Sequence, residues 1–357
     1  MKIQSLKEAH LLAVETLKQL IQTQSFSTEE AMASEIIVEV LSRYGYQPHR
    51  KGNNVFACSN DFQAGRSTLM LNSHLDTVKP SKGWNTNPLE PVLHDGKLIG
   101  LGSNDAGASL VSLLAVFIWS EQFQLSYNRV FVASAEEEIS GAGGIEWVIP
   151  VLGKIDAGIV GEPTQMQMAV AEKGLMVLDC TVHGQAGHAA RNQGVNAIKL
   201  AIKEIEWFHS FKFSESSSLL GGVKMTVTQI QAGTQHNVIP DTCEFVVDVR
   251  TNEKYSNQQV LNTIKEQVAC DVKARSLRMN SSAIDRNHPL VRAAEKLGIV
   301  CFGSPTTSDQ AVIQTFPTVK MGPGDSTRSH TANEFIYLHE IESGIGIYAE
   351  LMQALKV

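Results

Sequence analysis

The sequence predicts an α/β protein in which a mostly parallel sheet lies between helices and a second, α+β domain is inserted. Helical and strand patterns alternate along the first half of the chain, β-rich alternation replaces them in the middle, and the first pattern returns near the C-terminus. With 357 residues, 43% of them hydrophobic, the chain exceeds what one compact core usually holds, which favours two domains.

The first half opens with two helical patterns. Residues 1–24 mix charges with leucines at helical spacing and lack the unbroken apolar core of a signal peptide. Ser27 and Glu30 have capping-box spacing and predict the start of a helix that ends at about Arg43. Ala108–Trp119 is predicted as a buried apolar helix, since no uncharged apolar run reaches the roughly 18 residues of a membrane span.

Three apolar runs in the first half are predicted strands, and each is followed by acids or histidine. They are Ser67–Leu71, Arg129–Ala133 and Ala157–Val160. Ligands of open α/β sheets bind beyond the carboxyl ends of the strands. We therefore expect these three strand ends to share one active-site crevice.

The inserted domain is predicted over residues 175–283, which leaves residues 1–174 and 284–357 for the main domain. The patterns behind the insertion are strands at Leu175–Val182, Lys224–Ile230 and Cys243–Arg250 and helices at Val195–His209 and Asn257–Val268. Two helices on several antiparallel strands predict a small α+β sandwich.

Composition limits the partners and the compartment. A net charge of -7 without a basic patch disfavours nucleic acid or an anionic membrane as the main partner. Five scattered cysteines without a CxxC pair are poor material for a disulfide framework. We expect a cytoplasmic protein.

His74 and Asp76 follow the first predicted strand and lie two residues apart, so both side chains face one side of an extended segment. An aspartate in that position can hold the histidine tautomer that leaves the other ring nitrogen free for a metal. A surface hydrogen-bonded pair is the alternative.

Asp105 lies in a glycine-rich bend just before the apolar helix. Its two carboxylate oxygens are suited to bridging two cations, or the residue merely caps the helix. The glycines do not form the GxGxxG pattern, so the bend does not predict a phosphate site.

Three consecutive acids, Glu136, Glu137 and Glu138, follow the second predicted strand. Inside a cleft they would repel each other and lose hydration, and bound cations would relieve that cost. On an exposed loop they would be a solvated charge run. Periodicity leaves open which of the three is a general base.

Glu162 and His330 complete a set of possible ligands that mixes nitrogen and oxygen donors. Zinc suits that mixture, whereas calcium and magnesium prefer oxygen alone. Two zinc ions polarise a carbonyl and make a nucleophile of water near neutral pH, while a nearby glutamate moves the proton.

The order and spacing of these motifs resemble the co-catalytic zinc metallopeptidase and deacylase family of the acetylornithine deacetylase and succinyl-diaminopimelate desuccinylase type. The resemblance covers essentially the whole chain. It is carried by Ser73-His74-Leu75-Asp76-Thr77-Val78, Gly102-Ser103-Asn104-Asp105, Ala135-Glu136-Glu137-Glu138-Ile139, Gly161-Glu162-Pro163-Thr164 and Ser329-His330.

The resemblance implies a role for each site residue. One zinc would take His74 and Glu162, the other Glu138 and His330, and Asp105 would bridge both. Asp76 would orient His74, and Glu137 would be the general base. Two zinc ions per subunit are expected, and cobalt is expected to substitute.

In the inserted domain the resemblance implies dimerisation and substrate contacts. His188, within Gly184-Gln185-Ala186-Gly187-His188-Ala189-Ala190, would stabilise the oxyanion in a partner subunit's active site, so a homodimer is expected. Asn237 and Arg250 match positions used for a substrate carboxylate, although a surface ion pair is the alternative for Arg250. Gly322 and Gly324 precede His330, where backbone can approach a ligand.

The expected activity is deacylation of a small N-acyl amino acid, such as an acetyl or succinyl derivative of ornithine or citrulline in arginine biosynthesis. A succinyl-diaminopimelate desuccinylase or a di- or tripeptidase is the alternative within the enzymes. A non-catalytic, dimeric metal-binding module is the alternative outside them.

Overall fold

The computed structural model describes residues 2–191 and 193–356. Its helices are α1 Leu6–Ile21, α2 Ala31–Arg43, α3 Ala108–Trp119, α4 Ile145–Val148, α5 Ala197–Ser210, α6 Asn257–Gln267, α7 Pro289–Lys296 and α8 Leu338–Ala354.

The strands are β1 His49–Lys51, β2 Asn54–Cys58, β3 Thr68–His74, β4 Val92–His94, β5 Lys97–Ile99, β6 Asn128–Ser134, β7 Ala157–Val160, β8 Met168–Glu172, β9 Gly174–His183, β10 Gly187–His188, β11 Lys224–Ala232, β12 Val238–Ile239, β13 Thr242–Thr251, β14 Asp271–Ala274, β15 Ser282–Ala283, β16 Cys301–Ser304, β17 Thr318–Lys320 and β18 Phe335–Tyr337.

The chain divides into two compact units. The first contains residues 1–170, 283–302 and 308–357, and the second contains residues 171–282 and 303–307. The second unit therefore begins at residue 171, whereas the sequence predicted 175, and it also includes the short segment 303–307. The described residues contain no helix that is both long enough and apolar enough to span a membrane.

The first unit is built on a mixed sheet whose strand order is β1-β2-β6-β3-β7-β17-β8-β15, with β16 beside β8. Strand β3 runs parallel to β6 and β7, and β17 runs parallel to β7, whereas β2 is antiparallel to β6. The predicted α/β class with a mainly parallel sheet is confirmed.

Helices cover both faces of this sheet. On one face, α3 is almost wholly buried and contacts α1, α8 and the central strands. On the other, Ile145 and Val148 pack with Met70, Val130 and Val132 in one apolar cluster. Burial of the strands on both faces explains why they read as continuous apolar runs.

The predicted capping box at the start of α2 is wrong. The helix begins at Ala31, and Glu30 at its N-cap makes no side-chain capping bond. Instead, the Ser27 hydroxyl donates to the Asp76 carboxylate at 2.7 Å, and the buried Glu30 carboxylate accepts the Thr28 N–H at 2.7 Å. The partner of Ser27 is 49 residues away, so a tertiary contact stands in place of the predicted local cap.

The second unit contains a four-stranded antiparallel sheet in the order β11-β13-β9-β14. Its core joins alternate residues of β9 and β13, such as Leu178 and Val247, to Ala201 and Phe208 of α5 and Ile264 of α6. Two helices packed on antiparallel strands match the predicted α+β pattern.

Candidate metal centre and active site

Three strand ends carry site residues to one edge of the sheet. His74 is the last residue of β3, Glu136–Glu138 follow β6 after one residue, and Glu162 follows β7. Because β3 lies between β6 and β7 and is parallel to both, their carboxyl ends are neighbours. The three strand ends therefore meet at one edge of the sheet.

Two loops supply the remaining candidate ligands. Asp105 lies in the segment Ser103–Gly107 that leads into α3. Its own backbone is not helical, with a φ of -115° and a ψ of 102°, and its peptide bond to Ala106 is cis. His330 follows the short 3-10 helix Ser326–Arg328 and has a φ of 60°.

The carboxylate of Asp105 faces both histidines. Its Oδ1 lies 3.4 Å from Nε2 of His74, and its Oδ2 lies 3.4 Å from Nε2 of His330. Each histidine is also close to a second carboxylate that does not contact the other histidine. Glu162 Oε1 is 3.8 Å from His74 Nε2, and Glu138 Oε2 is 2.9 Å from His330 Nε2.

The His74 ring is oriented so that one nitrogen is free for a ligand. Nδ1 donates to the backbone carbonyl of Asp76 at 2.8 Å. Nε2 is buried and makes no hydrogen bond within the described part of the chain. A buried polar atom without a partner is costly, and a cation between His74 and the facing carboxylates would satisfy it.

The protonation of the two histidines reflects these acids. Burial lowers the pKa of His74, but Asp105, Asp76, Glu137 and Glu162 together raise it well above its usual value. The hydrogen bond to Glu138 raises the pKa of His330 to about 9. Without a metal, the two histidines therefore hold protons on the ring nitrogens with which they would bind a cation.

Asp76 touches more than His74. Its carboxylate Oδ1 accepts the backbone N–H of Glu137, and its Oδ2 accepts that of Glu138, both at 3.0 Å. The carboxylate lies 3.6 Å from His74 Nδ1, so the backbone carbonyl of Asp76 is the closer partner of the ring. The side chain of Asp76 thus holds the backbone that carries the two glutamates.

The three consecutive glutamates point to different surroundings. Glu136 has a φ of 57°, and its carboxylate accepts the Gly143 N–H at 3.0 Å, within its own loop. Potential ligand atoms lie within 4.8 Å of one another in two groups, which are His74 with Asp105 and Glu138, and His74 with Glu137 and Glu162. Glu137 and Glu138 therefore both belong to the cluster.

Burial dominates the acid chemistry of the cluster. It raises the pKa of Glu162 to about 8 and, with the charges of Glu162, Asp309 and Glu138, raises that of Glu137 well above its usual value. Carboxylates that resist ionisation when crowded and buried are those that a bound cation stabilises most.

Gly322 and Gly324 have a packing reason to be glycine. A Cβ on Gly322 would lie 2.2 Å from Ser109 Oγ, and one on Gly324, whose φ is 93°, would lie 2.4 Å from Asn104 Oδ1. The carbonyl of Gly322 accepts the Thr164 N–H at 3.1 Å, which ties this loop to the one that carries Glu162. The sequence predicted that a ligand could approach the backbone at these glycines, whereas the atoms that approach them in the structure belong to Ser109 and Asn104.

The second unit brings two of its three predicted site residues together. His188 is exposed on β10, opposite Val238 of β12, and the Ala189 N–H donates to the carbonyl of Asn237 at 3.1 Å. His188 Nδ1 accepts the Ala190 N–H at 3.2 Å, which leaves Nε2 pointing away from that bond.

Arg250 lies apart from this ribbon, on β13. Its guanidinium donates to both carboxylate oxygens of Asp248, at 2.8 and 3.1 Å, and to the Thr307 hydroxyl at 3.3 Å. The fork is therefore occupied by an acid of its own strand, which is the ion-pair alternative.

Two buried acids of the site were missed by sequence reasoning. Glu334 accepts the backbone N–H groups of Gly102, Asn104 and Asp105 at 3.0, 2.8 and 2.8 Å. Asp309 accepts the Ser134 hydroxyl at 2.5 Å, and burial raises its pKa to about 6. Glu334 had one sequence signal, an acid four residues after His330, whereas Asp309 had none.

Known proteins share both the sequence pattern and the fold. The model of peptidase family M20/M25/M40 matches residues 70–354. An acetylornithine deacetylase from Proteus mirabilis is 27% identical over an alignment of 371 positions that covers 95% of this chain and 96% of that protein.

Solved structures agree in fold. A tripeptidase from Staphylococcus aureus has a TM-score of 0.78 at 21% identity and covers 97% of this chain and 98% of its own. A dinuclear metal-binding peptidase of the M20 family from Bacillus subtilis has a TM-score of 0.72 at 17% identity, with 97% and 98% covered. Since the family model spans most of the sequence, this chain is a member of peptidase family M20/M25/M40.

Proposed function

We propose that this M20-family metallo-hydrolase is a two-zinc amidohydrolase that removes the acyl group from the α-nitrogen of a small amino acid. One observation carries the proposal. The two oxygens of Asp105 face different histidines, His74 and His330, each at 3.4 Å. A single carboxylate between two imidazoles is suited to bridging two cations.

The donor set fits zinc. One ion would be held by His74 and Glu162, the other by Glu138 and His330, with Asp105 shared. Imidazole nitrogen mixed with carboxylate oxygen is a zinc-type set. The buried Nε2 of His74, which has no hydrogen bond from any described residue, would bind a cation in this arrangement. Cobalt(II), which accepts the same donors, is expected to substitute.

Bound zinc would polarise the amide carbonyl and make water nucleophilic near neutral pH. Glu137 is the proposed general base, which takes the proton of the attacking water and delivers it to the leaving amine. Its carboxylate lies among the ligand atoms, whereas Glu138 is hydrogen-bonded to His330. Asp76 holds His74 through its carbonyl and Glu137 through its side chain.

The proposed substrates are N-acetyl or N-succinyl derivatives of ornithine or citrulline, in arginine biosynthesis in the cytoplasm. The likeness to an acetylornithine deacetylase across nearly the whole of both chains supports this choice. A di- or tripeptidase is the second candidate, favoured by the fold shared with a tripeptidase at a TM-score of 0.78. Succinyl-diaminopimelate is a third possible substrate.

We also propose a homodimer formed through the second unit. Strand β11 is paired only with β13 among the described strands and carries no charged residue between Met225 and Ala232. Natural sheets usually protect such edges. Ile198 and Ile202 of α5, which contacts β11, and Ile230 of β11 are exposed, so a second copy would cover apolar surface here. His188 would then act in the partner's site. Asn237 would contact the substrate carboxylate, and Arg250 would do so by exchanging its Asp248 partner for the substrate.

The substrate panel that tests the proposal contains N-acetylornithine, N-acetylcitrulline, their succinyl analogues, succinyl-diaminopimelate, and dipeptides and tripeptides. We expect the zinc-loaded protein to show its highest kcat/KM on one of the first four compounds. Peptide cleavage without deacylation would favour the second candidate. Metal-loaded protein that cleaves none of the panel would contradict both.

A further inference from the structure

Two buried polar side chains outside the proposed ligand set join the loop of Asp105 to the loop of His330. Glu334 is 2% exposed and Asn104 is fully buried. One lies four residues after His330, and the other immediately precedes Asp105. Each residue therefore belongs to one ligand loop and binds the other.

Glu334 reaches from the His330 side. Its Oε1 accepts the backbone N–H groups of Asn104 and Asp105, both at 2.8 Å, and its Oε2 accepts that of Gly102 at 3.0 Å. Its own carbonyl accepts the Gly100 N–H at 3.0 Å. Glu334 thus accepts four backbone N–H groups between residues 100 and 105, the segment that carries Asp105.

Asn104 reaches in the opposite direction. Its Oδ1 accepts the Asp325 N–H at 3.0 Å, and its Nδ2 donates to the Asp325 carbonyl at 3.1 Å and to the Ser329 hydroxyl at 3.4 Å. Ser329 adjoins His330. The amide therefore binds both backbone groups of one residue and the neighbour of a ligand.

A carboxylate buried at Glu334 is by itself unfavourable to the free energy of folding. Burying a carboxylate beside the Asp105 carboxylate costs free energy through lost hydration and like-charge repulsion. Three N–H donors offset part of that cost, and they all belong to the loop that carries the shared ligand. An acid that only closed a turn would not need to lie beside another acid.

We propose that Glu334 and Asn104 are positioning residues of the metal centre. Together they hold the Asp105 and His330 loops so that one carboxylate faces both histidines. The inference rests on the proposed two-metal function. In this inference, the hydrogen bonds that join the two loops fix the positions of Asp105 and His330, and the metal ions bind to ligands that are already in place.

The test compares wild type with Glu334→Ala, Glu334→Gln and Asn104→Ala. Asp156→Asn is the matched control, because Asp156 also accepts a backbone N–H, that of Thr68 at 2.9 Å, but at the opposite end of β3. For each full-length protein we would measure Zn2+ and Co2+ binding isotherms, the visible spectrum of the Co2+ form, kcat and KM on the best substrate, and the Tm without metal.

We expect Glu334→Ala and Asn104→Ala to bind the metal ions about 10- to 100-fold more weakly, as loss of residues that orient metal ligands usually does. Their Co2+ spectra should change, and kcat should fall more than KM rises. Glu334→Gln should be intermediate, since its single oxygen replaces Oε1. Asp156→Asn should match wild type in metal affinity and spectrum, whatever its Tm.

Wild-type metal affinity and Co2+ spectrum in Glu334→Ala would overturn the inference, even with a lowered Tm. If that variant does not fold, the same result in both Glu334→Gln and Asn104→Ala would overturn it. A wild-type protein that binds two ions but cleaves nothing contradicts only the proposed substrate, because the affinity comparison still decides the role of Glu334. A wild type that binds neither ion contradicts both.

Discussion

The Asp76 carboxylate accepts the backbone N–H of Glu137 at 3.0 Å. The same side chain accepts the Glu138 N–H at 3.0 Å, while its backbone carbonyl accepts the Nδ1 proton of His74 at 2.8 Å. Asp76 therefore connects the proposed base, Glu137, to two proposed metal ligands, His74 and Glu138. Burial raises its pKa, but His74, Ser27 and the N–H donors outweigh burial and keep it ionised.

Replacing Asp76 by Asn should lower turnover by more than it lowers metal content. The new amide turns an N–H group toward one of two backbone N–H donors, so the segment at Glu137 and Glu138 loses an anchor. We expect kcat to fall about 10- to 100-fold, the usual effect of losing such a partner. Steady-state kinetics and metal analysis would check this. Ser27→Ala, which removes only one donor to Asp76, should have a smaller effect, and equal effects would count against the anchoring role.

Glu137→Gln tests the base. The amide keeps the shape of the side chain but cannot take a proton from water. We expect kcat to fall about 100- to 10,000-fold, the range for loss of a general acid-base group, with metal content unchanged. Activity that survives in this variant, with both metals bound, would assign the base elsewhere. Glu136→Gln is the control, because Glu136 binds within its own loop.

His188→Ala tests the contribution of the second unit. If His188 stabilises the oxyanion in a partner's site, its loss should lower kcat about 100- to 1,000-fold, as removal of one oxyanion donor does. Metal content and dimer mass should not change. Light scattering and kinetics would measure both. Turnover equal to that of wild type would refute the oxyanion role, while a monomeric wild type would refute action across a dimer.

The metal-free protein should lose stability as the pH rises. Glu162 has a pKa of about 8 in the fold against an ordinary 4.5, and His330 one of about 9 against 6.5. The folded state thus binds more protons than the unfolded state between these limits, and stability falls as those protons leave. The contribution of His330 is fully present below pH 6.5 and is lost as the pH passes through about 9.

Thermal unfolding with a chelator, measured across that pH range, would check this trend. Added Zn2+ should remove the decline, because the cation stabilises the deprotonated ligands. His330→Asn should flatten part of the curve. A Tm that rises with pH in the chelated wild type would contradict the predicted sign.

Sequence reasoning reached the elements whose signal is local. Ala108–Trp119 is apolar throughout and coincides with α3, and the three buried strands lie where the apolar runs predicted them, with ends shifted by a few residues. Parallel pairing then accounts for the meeting of His74, Glu138 and Glu162, because a shared sheet edge follows from strand direction.

The contacts that sequence reasoning missed depend on distant partners. Ser27 meets Asp76 across 49 residues, and Glu334 meets the Asp105 loop across 229. The spacing of Ser27 and Glu30 predicted a helix cap, but Ser27 binds Asp76 and Glu30 binds the Asn53 amide and the Glu136 N–H instead. For Arg250 the sequence left a substrate carboxylate and an ion pair as alternatives, and its place on β13 beside Asp248 identified the acid of the pair.

The central claim is that Asp105 is shared by two metal ions. The most direct measurement is the metal content of active protein and of Asp105→Ala, by elemental analysis after titration of the chelated protein with Zn2+. We predict two ions per chain in wild type, return of activity with the ions, and fewer than two ions in the variant. Full turnover of metal-free wild type, or two tightly held ions in Asp105→Ala, would contradict the account.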